Sequence, residues 1–228
     1  DFCGGRDVGA WREYLEAMQE AHVEGVTLKG IVTCIRHFGP DKARETARCA
    51  AETAGDWIVG FGMGGAEDVG AVADFARAFD MAREAGLRLT SHAGEWGGAQ
   101  SIWDTLEDLK VERIGHGVQA IDDPKLVDYL AETGIVLEVN PGSNIALGVY
   151  ANLAQHPIAK LRDAGVKVTV STDDPPFFQT TMTKEFERLE QVFGWGVDDF
   201  NLLNKTALEA AFCDAGTKDL IAKRLETV

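Results

Sequence analysis

The stretch Leu87-Arg88-Leu89-Thr90-Ser91-His92-Ala93-Gly94-Glu95 decides how the rest of the chain is read. Its alternating apolar residues predict a short strand, and its end delivers an imidazole and a carboxylate separated only by Ala93 and Gly94, where the backbone is free to turn sharply. The pattern of a strand emptying into polar residues then recurs along the chain. Before it, Val26–Ile35 is rich in β-branched residues and predicts a strand that delivers Arg36 and His37 to a loop. Trp57–Phe61 predicts a strand running into Gly62-Met63-Gly64-Gly65. After it, Val111–Ile114 leads to His116, Ile135–Val139 leads to Asn140–Asn144, and Val166–Val170 leads to Asp173 and Asp174.

Helical spacing fills the gaps between these strands. Trp11, Leu15 and Met18 mark a helix from Asp7, as N-cap, to about Glu24; further helices are expected over Asp41–Ala54 and Asp68–Ala85, the second with Val69, Val72, Phe75 and Phe79 on one face. Ser101 is read as the cap of a short helix, and Asp123-Pro124 as the start of a helix stopped by Gly134. One more helix is expected near Leu153–Ala164, and two or three finish the chain, around Met182–Phe193, Asp198–Phe212 and Thr217–Leu225. Thr181-x-x-Lys184 is read as a helix start.

Six strands alternating with helices through short connections imply a parallel sheet covered by helices, an α/β fold. Every polar cluster follows a strand, as in a (β/α)8 TIM-type barrel or a doubly wound sheet, where ligands bind at the carboxyl ends of strands. At about 30 residues per βα unit the six units use most of the 228 residues, so the expectation is one barrel domain over 1–228, with two βα units absent or before Asp1.

Composition narrows the function. The chain is 45% hydrophobic, enough to fill a sizeable core, and its formal charge of -15 argues against nucleic acid or an anionic membrane surface as partner. A neutral or cationic small molecule suits it better. Cys3, Cys34, Cys49 and Cys213 form no C-x-x-C pair and are read as reduced and buried in a cytoplasmic protein. No apolar run reaches membrane-spanning length, and no signature of an oligomeric state stands out. Gly60-x-Gly62-x-x-Gly65 matches the dinucleotide fingerprint, but the next strand ends in Ser91-His92 instead of the acidic residue that would hold a ribose. The nucleophile elbow G-x-S-x-G and the zinc motif H-E-x-x-H do not occur. His92, His116 and Asp173 are donors of the kind that bind zinc or a similar divalent ion.

Four ordered motifs carry a resemblance: His92-Ala93-Gly94-Glu95, Arg113-Ile114-Gly115-His116-Gly117, Pro141-x-Ser143-Asn144 and Thr172-Asp173-Asp174-Pro175. Together they resemble the adenosine/adenine deaminase family, metal-dependent barrels of the amidohydrolase type. The resemblance implies zinc as cofactor, with His92 and Asp173 as ligands, Glu95 as the acid that protonates purine N1, and His116 as the residue that helps deprotonate the attacking water. Asp174 would bind N7, and the backbone N–H of Gly65 would meet N3. It further implies a purine substrate, with adenosine as the first expectation and adenine as the alternative. Three departures stand out. No two of the five histidines form the family's His-x-His ligand pair, as expected if the first two βα units are missing; Asn140 stands where the family usually has Cys, and Ala66 replaces an acidic residue usual after Gly65. The missing pair motivates a second reading, a barrel that binds a purine without turning it over.

Overall fold

The computed structural model of the protein describes residues 8–20 and 24–226. In chain order the elements are α1 (Val8–Gln19), β1 (Gly30–Ile35), α2 (Gly39–Glu52), β2 (Ile58–Gly64), α3 (Ala76–Glu84), β3 (Arg88–Ala93), α4 (Gly98–Asp104), β4 (Arg113–His116), α5 (Pro124–Thr133), β5 (Val136–Val139), α6 (Pro141–Ala146), α7 (Ile158–Asp163), β6 (Val168–Val170), α8 (Pro175–Phe178), α9 (Met182–Phe193), α10 (Val197–Ala210) and α11 (Ala215–Leu225). They fall into two compact units. The first comprises the described residues of Asp1–His92 with Asp104–Glu112 and Phe212–Thr217; the second comprises Ala93–Trp103, Arg113–Ala211 and the described residues of Lys218–Val228.

In the first unit β1 pairs with β2 and β2 with β3, all parallel, with Val32 opposite Phe61 and Phe61 opposite Leu89. Phe61 and Phe79 meet edge to face at 5.2 Å, and both are fully buried. In the second unit β4, β5 and β6 pair in parallel, with Ile114 opposite Leu137 and Leu137 opposite Val168. The centres of these strands are buried, as expected of parallel strands covered on both faces. The one charge inside β5, Glu138, meets the Nε of Arg113 on the neighbouring strand at 2.8 Å. Around them Ile102, Leu126, Leu130, Ile158 and Leu161 are fully buried. Asp123 caps α5 by accepting from the Lys125 N–H at 3.0 Å, and Gly134 ends it at φ +70°, as the sequence predicts.

Several boundaries differ from expectation, each for a local reason. β1 starts only at Gly30; Val26 and Leu28 are exposed, so the residues before Gly30 do not join the strand. Gly39-Pro40 opens α2 instead of merely breaking β1, since Pro suits the first helical turn. The expected helix over Asp68–Ala85 is cut to a 3-10 turn, Val72–Phe75, followed by α3, and Val69 is exposed. Ser101 lies inside α4 and does not cap it. The polar run after β5 is helical, as α6. His156-Pro157 divides the helix expected near Leu153–Ala164 into a 3-10 turn and α7. Thr181 does start α9, accepting from the Lys184 N–H at 3.2 Å.

The dinucleotide fingerprint is resolved by β2. Gly60, Gly62 and Gly64 are strand residues, with Gly62 opposite Thr33 of β1, so no glycine loop is left there to cradle a phosphate. Cys34 and Cys49 are buried free thiols, and burial pushes the Cys34 thiol up to about 12. Cys213 is only half-buried, which corrects the expectation for it; Cys3 and Asp7 lie outside the described residues. Among the described residues no helix is long and apolar enough to cross a membrane.

Candidate active site

The second unit gathers polar side chains at the carboxyl ends of its strands. The chain leaves β3 through Gly94, whose N–H donates to Ser101 Oγ at 2.8 Å and whose carbonyl accepts from the Gln119 N–H at 2.9 Å. Ala93 is tied to the end of β4 in the same way, accepting from the Gly117 N–H at 3.1 Å. These bonds hold the backbone just before Glu95, which is 8% exposed. Ser101 thus serves the turn before Glu95.

His116 ends β4 with its backbone at φ +60°, followed by Gly117 at +67°. Asp173, after β6, has φ +56°. Positive φ is uncommon outside glycine and clusters at functional sites. Only four non-glycine residues among those described adopt it, and two of them are these strand-end residues that the sequence singles out.

The side chains converge. His116, 1% exposed, has Nδ1 3.4 Å from Glu95 Oε1, and its Nε2 is 3.8 Å from Asp173 Oδ2. Fully buried Asn144, on α6, donates from Nδ2 to Glu95 Oε1 at 3.0 Å, and the same nitrogen is 3.2 Å from His116 Nδ1. Asn140 Nδ2 lies 3.5 Å from His116 Nδ1 and donates to the Glu138 carbonyl at 3.2 Å, so the residue standing in place of the family's Cys adds a polar floor. Ser143 donates to Asp173 Oδ2 at 2.7 Å. Behind Asn144, His156 Nε2 sits 3.1 Å from Asn144 Oδ1, while His156 Nδ1 accepts from the Ile158 N–H at 3.2 Å. Burial lowers the pKa of His156 to about 4, which keeps the ring neutral. A further buried carboxylate, Glu185 on α9, holds the start of α6 by accepting from the Gly142 N–H at 2.9 Å and from Thr180 Oγ1 at 2.5 Å.

Glu95, His116 and Asp173 are therefore brought together, whereas Asp174 is exposed and begins α8, with its carbonyl accepting from the Phe177 and Phe178 N–H groups at 3.0 Å. In the first unit His92 ends β3 half-buried, its ring beside Gly64 of β2, where a Cβ would stand 3.4 Å from Cε1. Gly65 follows at φ +96°, with the His37 ring 3.0 Å from the position of a Cβ. Arg36 is buried and donates to the Val69 and Gly70 carbonyls at 2.7 and 2.8 Å; it holds the following loop and is not part of a strand-end site. Sequence reasoning missed His156 and the bonding roles of Ser143 and Asn144. The Pro141-x-Ser143-Asn144 motif pointed to the last two, but for His156 the one available signal was a His-Pro pair before a helix.

An imidazole and a carboxylate are donors that suit zinc, and the Asp173 carboxylate is half-buried, held by Ser143 and 3.8 Å from an imidazole nitrogen.

The family model described as adenosine deaminase matches residues 11–228. The chain belongs to the adenosine deaminase family. Among curated family relatives, an adenine deaminase from Rhizobium rhizogenes is 52% identical over 201 residues, 88% of this chain and 62% of that protein. One from Sinorhizobium fredii is 45% identical over 223 residues, 97% of this chain and 69% of that protein. The crystal structure of an adenine deaminase from Arthrobacter aurescens overlays with a TM-score of 0.87 at 31% identity, covering 96% of this chain and 66% of that one. An amidohydrolase from Burkhoderia ambifaria, solved with bound Zn, overlays at 0.85 and 26% identity over 98% and 66%. The α/β barrel class read from the sequence is the fold these likenesses support. The chain spans about three fifths of the length of the first of these relatives.

Proposed function

We propose that the protein to which these residues belong removes the 6-amino group of adenine by hydrolysis, taking up one water and releasing hypoxanthine and ammonia. The observation that carries this reading is the buried Glu95 carboxylate, fixed by Asn144 beside His116 and Asp173, in a chain half identical to an adenine deaminase. The nucleoside expectation gives way to the free base, because both curated relatives described above are adenine deaminases.

Each residue then has a task. With Oε1 held by the Asn144 amide, Glu95 carries its proton on Oε2 and gives it to N1, the ring nitrogen beside C6. That proton lets the ring accept the electron pair as water adds to C6. One proton of the water passes to the 6-amino group, the C6–N bond breaks with its electron pair going to nitrogen, ammonia leaves, and the remaining hydroxyl proton returns to Glu95 as the C6 carbonyl forms. His116 and Asp173 flank the attacking oxygen. Asp174, exposed after β6, holds N7. Asp173 would be a ligand of zinc, which when bound lowers the pKa of a water to about 7.

Ammonia release from adenine and from adenosine by the full-length protein, with and without a chelator, tests the reading. Chelator-sensitive release from adenine alone is the expected result; release from adenosine alone would overturn the base assignment, and release from neither would favour the purine-binding barrel without turnover. Glu95→Gln should bind adenine while losing about 10²–10⁴-fold in kcat; near-normal turnover would remove Glu95 from its role.

A further inference from the structure

We propose that His156, which touches no reacting atom, is a positioning residue that sets the orientation of Asn144 and, through it, the hydrogen-bonding state of Glu95 and His116. The Ile158 backbone N–H can only donate, so His156 Nδ1, 3.2 Å away, must present its lone pair. A neutral ring with a bare Nδ1 carries its proton on Nε2, and that proton points at Asn144 Oδ1 at 3.1 Å. The amide is thereby fixed with Oδ1 toward His156 and its two N–H groups toward the site. One meets Glu95 Oε1 at 3.0 Å and the other meets His116 Nδ1 at 3.2 Å. Asn140 Nδ2 approaches the same ring nitrogen at 3.5 Å.

The orientation of Asn144 is determined twice over, since a carboxylate oxygen accepts and so also requires the NH2 side of the amide. All four members are buried, with Asn144 at 0% and His156 at 2% exposure, so water cannot substitute for a broken link without entering the core. The consequence falls on His116. With amide protons on Nδ1, its neutral ring carries hydrogen on Nε2, the nitrogen 3.8 Å from Asp173. His116 therefore meets the attacking water as a hydrogen-bond donor and not as a proton acceptor, which revises the role expected from the family resemblance. That last step rests on the deaminase reading; the relay itself does not.

Two substitutions separate positioning from packing. In His156→Asn the shorter amide oxygen still accepts from Ile158 but cannot reach Asn144, whereas in His156→Gln the longer amide still donates to Asn144 but leaves Ile158 without its acceptor. Both should lower Tm. In the full-length, metal-loaded protein with ¹⁵N-labelled histidine, His116 and His156 should each appear as a single Nε2–H tautomer. His156→Asn should leave His116 in mixed tautomers and reduce kcat on adenine about 10–100-fold with KM nearly unchanged, as loss of an orienting partner does, while His156→Gln restores both. A His156 ring protonated at Nδ1, an undisturbed His116 in His156→Asn, or equal kcat losses in the two variants would overturn the relay. If wild-type protein shows the expected tautomers but releases no ammonia from adenine, the relay stands and the proposed substrate falls. If neither variant folds, the wild-type tautomers decide alone.

Discussion

Gly94→Ala is the substitution for which the structure gives the most definite expectation. Gly94 has φ +69°, and a Cβ there would lie 2.6 Å from Ile102 Cγ1, with Ile102 Cδ1 closer still. The left-handed backbone costs an alanine about 1–2 kcal/mol. Ile102 is fully buried and cannot swing away, and forcing a methyl into such packing costs about 1–3 kcal/mol. The sum, about 2–5 kcal/mol, is a large share of the stability of about 5–15 kcal/mol typical of a folded protein. For a chain of this length Tm should drop by about 2–4 °C per kcal/mol. Thermal melting followed by circular dichroism measures it. Ile102→Ala provides the control: alone it should cost about 2–5 kcal/mol through the cavity it leaves, but combined with Gly94→Ala it supplies room for the new methyl. The double variant should therefore be more stable than additivity predicts by about 1–3 kcal/mol. A Gly94→Ala protein that melts at the wild-type temperature, or strict additivity in the cycle, would refute the reasoning. Glu95 is the next residue, so the single variant should also lose kcat more than its Tm change accounts for.

The remaining expectations concern the shell of the site. Asn144→Leu removes the partner of Glu95 and of His156 in the core, and each buried polar group so stranded costs about 1–3 kcal/mol, which a denaturant midpoint will register. Glu185→Ala strands the Gly142 N–H and Thr180 and should destabilise by a similar amount, with a further fall in kcat because α6 carries Ser143 and Asn144. Folding lowers the pKa of His156 from 6.5 to about 4, so between those values the unfolded chain binds a proton that the folded one does not. Stability is then fully present above pH 6.5 and is lost as pH falls toward 4, by up to about 3 kcal/mol from this group, and His156→Gln should show a flatter acid limb in urea titrations. Cys34, with its thiol raised to about 12, should stay unmodified by a thiol reagent in the native protein, while half-buried Cys213 reacts; labelling followed by peptide mass analysis separates them.

The sequence by itself determined the alternation of strand and helix and the sorting of polar residues to strand ends, because period and punctuation are local properties. It also placed Glu95 and Asp173 in loops after strands and His116 at a strand's carboxyl end, since a run such as Val168–Val170 cannot continue through Thr172-Asp173-Asp174-Pro175. Motif order identified the family from the same residues. What the sequence could not carry was the bonding between them. Asn144 lies 49 residues from Glu95, 28 from His116 and 12 from His156, and no local rule makes one amide serve all three. His156 reads as an ordinary turn residue until burial removes water from around it; only then does a backbone N–H dictate which nitrogen of the ring holds the proton. The glycines of β2 show the opposite case, a local match to a phosphate loop that strand pairing overrules. Tertiary structure decides these points because hydrogen-bond direction and burial are properties of neighbours in space, whereas periodicity is a property of neighbours along the chain.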